Sequence, residues 1–352
     1  MMKKILALLL ALVLIAGLVA CTTTPEPEEP AVPDPPEVEV SPEPEEPEEE
    51  EEPVTGSAIH GAIHRVEYGD NVVYLFGTLH GGHDHWFPLA DVVEDALRRS
   101  DVLAIEVDDI AEGADAMEEA IMEALFLPDG MTWAELLPTD AYDHLVEAIA
   151  GWGIPYEDVN DMNPAFLVFS LEMELVQSLA VLEVNIDASV DAYVVDVAME
   201  LGLPIIGLES IEQQIDILFH PPFEVMLAQI MSFLPPMELM ERIEESGALS
   251  LDELATLYEN NDLEALIHAF GLEIGADAED LFAIYMREIV MNWRSTYYAN
   301  EIIRLLQETE EPTTFFVAVG LSHIIRAGAG EEFTDIVEQL ELQGFTAVPI
   351  WE

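Results

Sequence analysis

Four short apolar segments constrain the fold of this chain more than any other feature. They are Asn71–Phe76, Val102–Val107, Pro204–Ile206 with Gly207 behind it, and Thr314–Val319. Each is rich in β-branched, aromatic or aliphatic residues without clean alternation, as expected of strands buried on both faces of a sheet. Val66–Tyr68, before the Gly69-Asp70 turn, predicts a hairpin with the first of them, and Phe345–Ile350 reads as a last strand. Helical patterns over Leu89–Ser100, Ser189–Leu201, Tyr285–Gln307 and Glu331–Gln343 lie between or after the strands. Strands interleaved with helices predict an α/β domain, a mixed β-sheet core with flanking helices. Two acidic, Met- and Leu-rich stretches, 110–180 and 211–284, read as large helical insertions that roof a cleft. Phe219-His220-Pro221-Pro222 and Leu234-Pro235-Pro236 break the second.

The chain before this domain is of a different kind. Met1-Met2-Lys3-Lys4 and the apolar run Ile5–Ala20 have the charge and length of a secretory signal peptide over residues 1–20, and the run falls short of the roughly 20 residues a membrane span prefers. Leu18-Val19-Ala20-Cys21 resembles the bacterial lipobox, in which the chain is cut before the cysteine and that cysteine is acylated. Cys21 is the one cysteine of the 352 residues, so the domain has no disulfide, no cysteine nucleophile and no cysteine-ligated metal. The lipidated Cys21 and residues 22–56, with ten prolines and fourteen acidic residues, read as a disordered tether over 21–56. The domain then runs from 57 to 352. Its basic residues are eight arginines and no lysine, and the whole chain carries −62. Such a field repels nucleic acid and anionic lipid, and attracts cationic partners and divalent metals.

The chemistry is expected where the strands end. The first strand runs into Gly77-Thr78-Leu79-His80 and the fourth into Gly320-Leu321-Ser322-His323, two copies of strand–Gly-x-x-His. Glycines at such exits, Gly77, Gly320 and also Gly207, permit tight turns and close backbone approach. The histidines would then stand at the carboxyl edge of the sheet, where α/β proteins build sites. Glu106 sits in an otherwise apolar strand and Glu209 follows Pro204–Leu208 in the same manner; a carboxylate there is costly unless something pairs with it. Two imidazoles and two carboxylates on one edge suit zinc, manganese or cobalt, with a Glu outside the ligand set as general base. His83-Asp84-His85 is a weaker candidate for added ligands, and a salt bridge to a scarce arginine is the plain alternative for either Glu.

These residues carry a resemblance to a known family. Tyr74–His80, Phe87-Pro88-Leu89, Ser100–Asp108, Asp191–Ala198 with Gly202-Leu203-Pro204, Gly207–Gln214, Arg294 with Ala299 and Ile302, Phe316–His323 and Gly344-Phe345 stand in the order found in the TraB/GumN family, to which the Tiki proteases also belong. The chain resembles that family over residues 60–350. The resemblance implies metal-dependent peptide-bond hydrolysis, with His80, His323, Glu106 and Glu209 as metal-site residues and Glu106, Glu209 and Arg294 as catalytic ones. Arg294 would either pair with an acid in two-pronged fashion or offset charge on a substrate carbonyl. Two positions depart from the family pattern: Ser295 stands where asparagine is usual, and Arg326 where glycine is usual, with glycines displaced to Gly328 and Gly330.

The expectation is a membrane-tethered, extracytoplasmic metal-dependent hydrolase acting on a peptide or protein, anchored through lipid alone and without nucleic acid. The alternatives are a non-catalytic lipoprotein that binds a peptide or small ligand on the same fold, and an adhesin-like module. The leader generates a first prediction. Mass spectrometry of the native N-terminus should find an acylated Cys21, and Cys21→Ser should release the protein or leave it uncleaved. An unmodified N-terminus beginning elsewhere refutes the lipobox reading.

Overall fold

The computed structural model describes residues 57–107, 122–128, 130–179, 189–246, 249–273, 280–325 and 333–351. The signal peptide, the lipidation cysteine, the tether and Arg326 lie outside the described residues. Six strands form one mixed sheet: β1 (His64–Tyr68), β2 (Asn71–Thr78), β3 (Val102–Val107), β4 (Ile205–Glu209), β5 (Thr314–Gly320) and β6 (Val348–Pro349). Their spatial order is β4-β3-β5-β2-β1-β6. The four from β4 to β2 are mutually parallel, and the β1–β2 hairpin and β6 add antiparallel pairs at one side. The α/β class expected from the sequence is the one found. Its physical reason is visible in β2 and β5, where nearly every residue is buried, as parallel strands covered on both faces must be.

The helices packed on this sheet include α1 (Asp91–Arg98), α2 (Val190–Leu201), α3 (Arg294–Glu308) and α4 (Ile336–Leu342). They share one apolar core with the sheet, built on residues such as Phe76, Phe316, Val194, Tyr298 and Ile302. Ser189 caps α2 by accepting from the amide of Ala192, and Gly202 ends it at φ +71°, a conformation that favours glycine. Both insertions are helical where described. Helices Thr139–Gly151, Pro164–Leu179, Ile211–Phe219 and Phe223–Ser232 gather around Trp133, Phe166 and Phe233 in a second apolar cluster. That cluster also takes in Val107 and Ile211, so it adjoins the carboxyl ends of β3 and β4.

Several local expectations are corrected. β4 continues through Gly207 to Glu209, with Gly207 opposite Ile105, so this glycine lies within a strand rather than at a turn. Gly77 and Gly320 likewise belong to β2 and β5. The need at Gly77 is space: a Cβ there would meet Leu321 Cδ1 at 2.4 Å and the Gly61 carbonyl oxygen at 2.8 Å. The last strand shrinks to Val348–Pro349 because only Arg65 and His64 of β1 pair with it. The long helix begins as Leu281–Tyr285, widens into a π-helix over Met286–Trp293, and becomes α3 at Arg294. Such wide turns cluster at functional sites.

Asn71 ties α3 to the sheet. Its Nδ2 donates to the carbonyls of Leu306 and Thr309, both at 2.9 Å, and its Oδ1 accepts from the Thr313 amide at 2.9 Å. These are carbonyls that the end of a helix leaves unsatisfied. Asn71→Ala should therefore cost about 1–3 kcal/mol in chemical denaturation, the usual penalty for stranding buried polar groups. Asn71→Asp should cost more, because its acceptor oxygen would face two carbonyls. An aspartate variant as stable as the wild type would overturn this account.

Candidate active site

Because β2, β3, β4 and β5 are parallel, their carboxyl ends lie along one edge. Thr78 stands opposite Gly320 and Val107 opposite Glu209. The two Gly-x-x-His copies thus leave neighbouring strands, one residue out of register. Glu106 and Glu209 leave the next pair.

Arg294, the first residue of α3, lies between the two acids and is 5% exposed. Its Nη2 donates to Glu106 Oε2 at 2.8 Å and to Glu209 Oε1 at 2.6 Å, and its Nε reaches Glu209 Oε2 at 3.4 Å. Tyr298, one helical turn on, accepts from Arg294 and donates to Glu209 Oε1 at 2.8 Å. Gln214 adds a bond to the same oxygen at 3.3 Å. The other oxygen of Glu106 accepts from the Gly320 amide at 2.8 Å. Burial penalises the Glu106 carboxylate, yet Arg294, His323, His80 and the Gly320 amide outweigh it and hold its pKa at about 2. Glu209, whose side chain is fully buried, is pushed up by desolvation against the pull of Arg294. Arg294 itself stays protonated, because the charges of Glu106 and Glu209 outweigh its burial.

The two histidines sit in unlike surroundings. His80 follows β2 on a loop, and its Nδ1 meets Asp191 Oδ2 at 2.9 Å. The Asp191 carboxylate pushes its pKa up to about 9. Solvent reaches 45% of the His80 side chain, so that attraction is partly screened. His323 ends a short 3-10 turn over Leu321–His323 and is 3% exposed. Its Nδ1 lies 2.9 Å from Ser295 Oγ, and its ring stands edge-on to Tyr298 at 5.3 Å. Burial, followed by the nearby Arg294, pushes its pKa down to about 4. Among the described residues, no hydrogen bond reaches Nε2 of either ring.

The structure therefore brings Glu106, Glu209 and Arg294 into direct contact, and sets both histidines close enough to Glu106 to pull on its charge. His83 and His85 stack on one another, and His85 reaches Glu259 at 3.3 Å. Among the described residues no group of three or more His, Asp or Glu side chains is arranged to hold a metal. Sequence reasoning gave no role to Tyr298, Gln214, Asp191 or Ser295. The spacing of Arg294 and Tyr298, four apart on a helix, was the available signal for the first. Asp191 carried a weaker one, an acid in the first turn after a Ser cap.

The neutral, buried His323 generates a pH prediction. Its folded pKa of about 4 lies below the unfolded value near 6.5, so between those values the unfolded chain binds a proton that the folded one does not. Stability falls as pH drops from 6.5 to 4, by up to roughly 1.4 kcal/mol for each pH unit crossed. Melting curves of chelator-treated protein should decline across that window, and less steeply in His323→Gln. Equal slopes would show that the ring is not held neutral by burial.

A model of the TraB/PrgY/gumN family matches residues 62–349. No curated protein and no solved structure matches the chain significantly.

Proposed function

Because the chain belongs to the TraB/PrgY/gumN family, we propose that it is a membrane-tethered, extracytoplasmic hydrolase that cleaves a peptide bond with the help of a divalent metal ion. The observation that carries this reading is the state of the two imidazoles. Each has Nδ1 engaged, by Asp191 and by Ser295, and among the described residues each leaves Nε2 without a partner. Metal-ligating histidines are commonly held in this way.

The donors fit such an ion in their chemistry. His80 and His323 would hold it through Nε2, and Glu106 through an oxygen lone pair; its pKa of about 2 keeps it ionised at any physiological pH. Glu106 and Glu209 share one guanidinium, and Asp191 adds a third carboxylate beside His80, so the cluster favours a cation when both rings are neutral. Glu209 is the poorer donor, since its carboxylate accepts four bonds, from Arg294 twice, Tyr298 and Gln214, where that of Glu106 accepts three, from Arg294, Tyr298 and the Gly320 amide. The set is one of suitable donors, not a preformed cage. A divalent ion here would polarise the scissile carbonyl and lower the pKa of an attacking water.

Arg294 has a definite task in this reading. It keeps two acids side by side that would otherwise repel, and its contacts leave it little freedom to approach a substrate. Glu209 and Tyr298 fix the guanidinium; the guanidinium and the Gly320 amide fix Glu106. Among the described residues no helix is long and apolar enough to cross a membrane; in this reading the Cys21 lipid supplies the attachment.

Zinc, manganese and cobalt binding to the purified full-length protein tests the proposal. Stoichiometric metal should be lost in His80→Ala and in His323→Ala. Chelation should reduce cleavage of a peptide library by about 100-fold or more, and added metal should restore it. Peptide capture without cleavage, at any metal loading, would favour the ligand-binding alternative.

A further inference from the structure

Asp191 lies 111 positions beyond His80 in sequence and is bound to it in space. The attachment does not depend on side chains alone. The Val190 amide donates to the Leu79 carbonyl at 3.1 Å, joining the first turn of α2 to the residue just before His80. Ser189 caps that turn through the Ala192 amide at 3.1 Å. From the other side, Tyr258, 2% exposed, donates to the Gly77 carbonyl at 2.8 Å. The loop that carries His80 is therefore held at Gly77 and at Leu79, and Asp191 arrives already aligned with the ring.

We propose that Asp191 is a positioning residue that fixes His80 in the tautomer presenting Nε2 to the site. A carboxylate only accepts hydrogen bonds, so its partner on His80 must be Nδ1–H. Once a bound cation displaces the second proton of the ring, the lone pair lies on Nε2, an atom with no partner among the described residues. The Ser295–His323 contact does not dictate a tautomer, because a hydroxyl donates or accepts as needed. Of the two rings, His80 alone has its lone pair assigned by a group that cannot reverse. An acid in the first turn of α2 also complements the helix dipole, but that role needs no histidine within 2.9 Å of it.

This inference rests on reading His80 as a metal donor, so its test has one arm that needs no metal. In full-length, histidine-labelled protein in detergent, stripped of metal, His80 should give a low-field Nδ1–H resonance protected from exchange. It is assigned by its loss in His80→Ala, and Asp191→Ala should abolish it. In the second arm, zinc affinity measured by calorimetry should fall about 10–100-fold in Asp191→Ala, the usual loss when the partner of a ligating histidine is removed. If the alanine variant does not fold, Asp191→Asn, which keeps the volume without the charge, should shift the resonance and weaken zinc binding less. An unchanged ring resonance in Asp191→Ala would overturn the proposal, as would an unchanged zinc affinity. If the wild type binds no zinc, the metal reading fails while the resonance still decides the role of Asp191.

Discussion

One guanidinium decides the shape of this site. Glu106 and Glu209 end adjacent parallel strands, and ladder geometry alone would leave two carboxylates facing each other in a nearly dry space. Arg294 makes that placement tolerable, since its planar fork reaches both acids at once, where the single ammonium of lysine has no comparable geometry. Its position depends in turn on where α3 begins. The π-helix over Met286–Trp293 gives way to α-helix at Arg294, so the side chain that joins β3 to β4 stands at that junction. Asn71 secures the far end of the same helix to the sheet. The sheet edge, the helix and the acid pair form one mechanical unit, and replacing any of them disturbs the others. A buried pair broken on one side typically costs several kcal/mol, because it strands a charge.

How much of this was legible in the sequence depends on the range over which each signal acts. The central strands were legible because burial on both faces leaves a purely apolar run, as in Thr314–Val319. Glu106 and Glu209 stood out because they interrupt such runs. Gly207 misled, because glycine marks both a turn and a close approach, and only the pairing with Ile105 tells the two apart. Val348–Pro349 is shorter than its hydrophobicity suggests, because only the first two of the five residues of β1 pair with it. The pairing of Arg294 with an acid was one of two readings open beforehand; that it spans both acids follows from the neighbouring of β3 and β4, which no local pattern encodes. Asp191 carried a weak signal as an acid in a first helical turn, but its pairing with His80, like that of Ser295 with His323, had no local signature. The two contacts join residues 111 and 28 positions apart, and depend on the direction in which each ring turns.

The two histidines also show how one short motif yields two chemical characters. Both follow a strand by the same spacing, yet one is drawn toward its charged form and the other toward its neutral form. The difference comes from their neighbours. A carboxylate stands beside the open ring, while the closed ring has a hydroxyl beside it and a guanidinium nearby. A repeated sequence signature therefore fixes place and leaves character to partners contributed by other elements.

The strand order has a consequence for the birth of the molecule. β5 lies between β2 and β3, yet it is the fifth of six strands to be made. A nascent chain that has released β2, β3 and β4 still lacks the strand that joins the first of them to the rest. The central slot is filled only when residues 314–320 emerge. Until then the sheet is two separate pieces with bare edges, the form most exposed to wrong pairing. His323 follows β5 directly, so the last component of the site arrives together with the strand that closes the sheet. A chain cut short before that point would lack both the strand that joins the two halves of the sheet and His323.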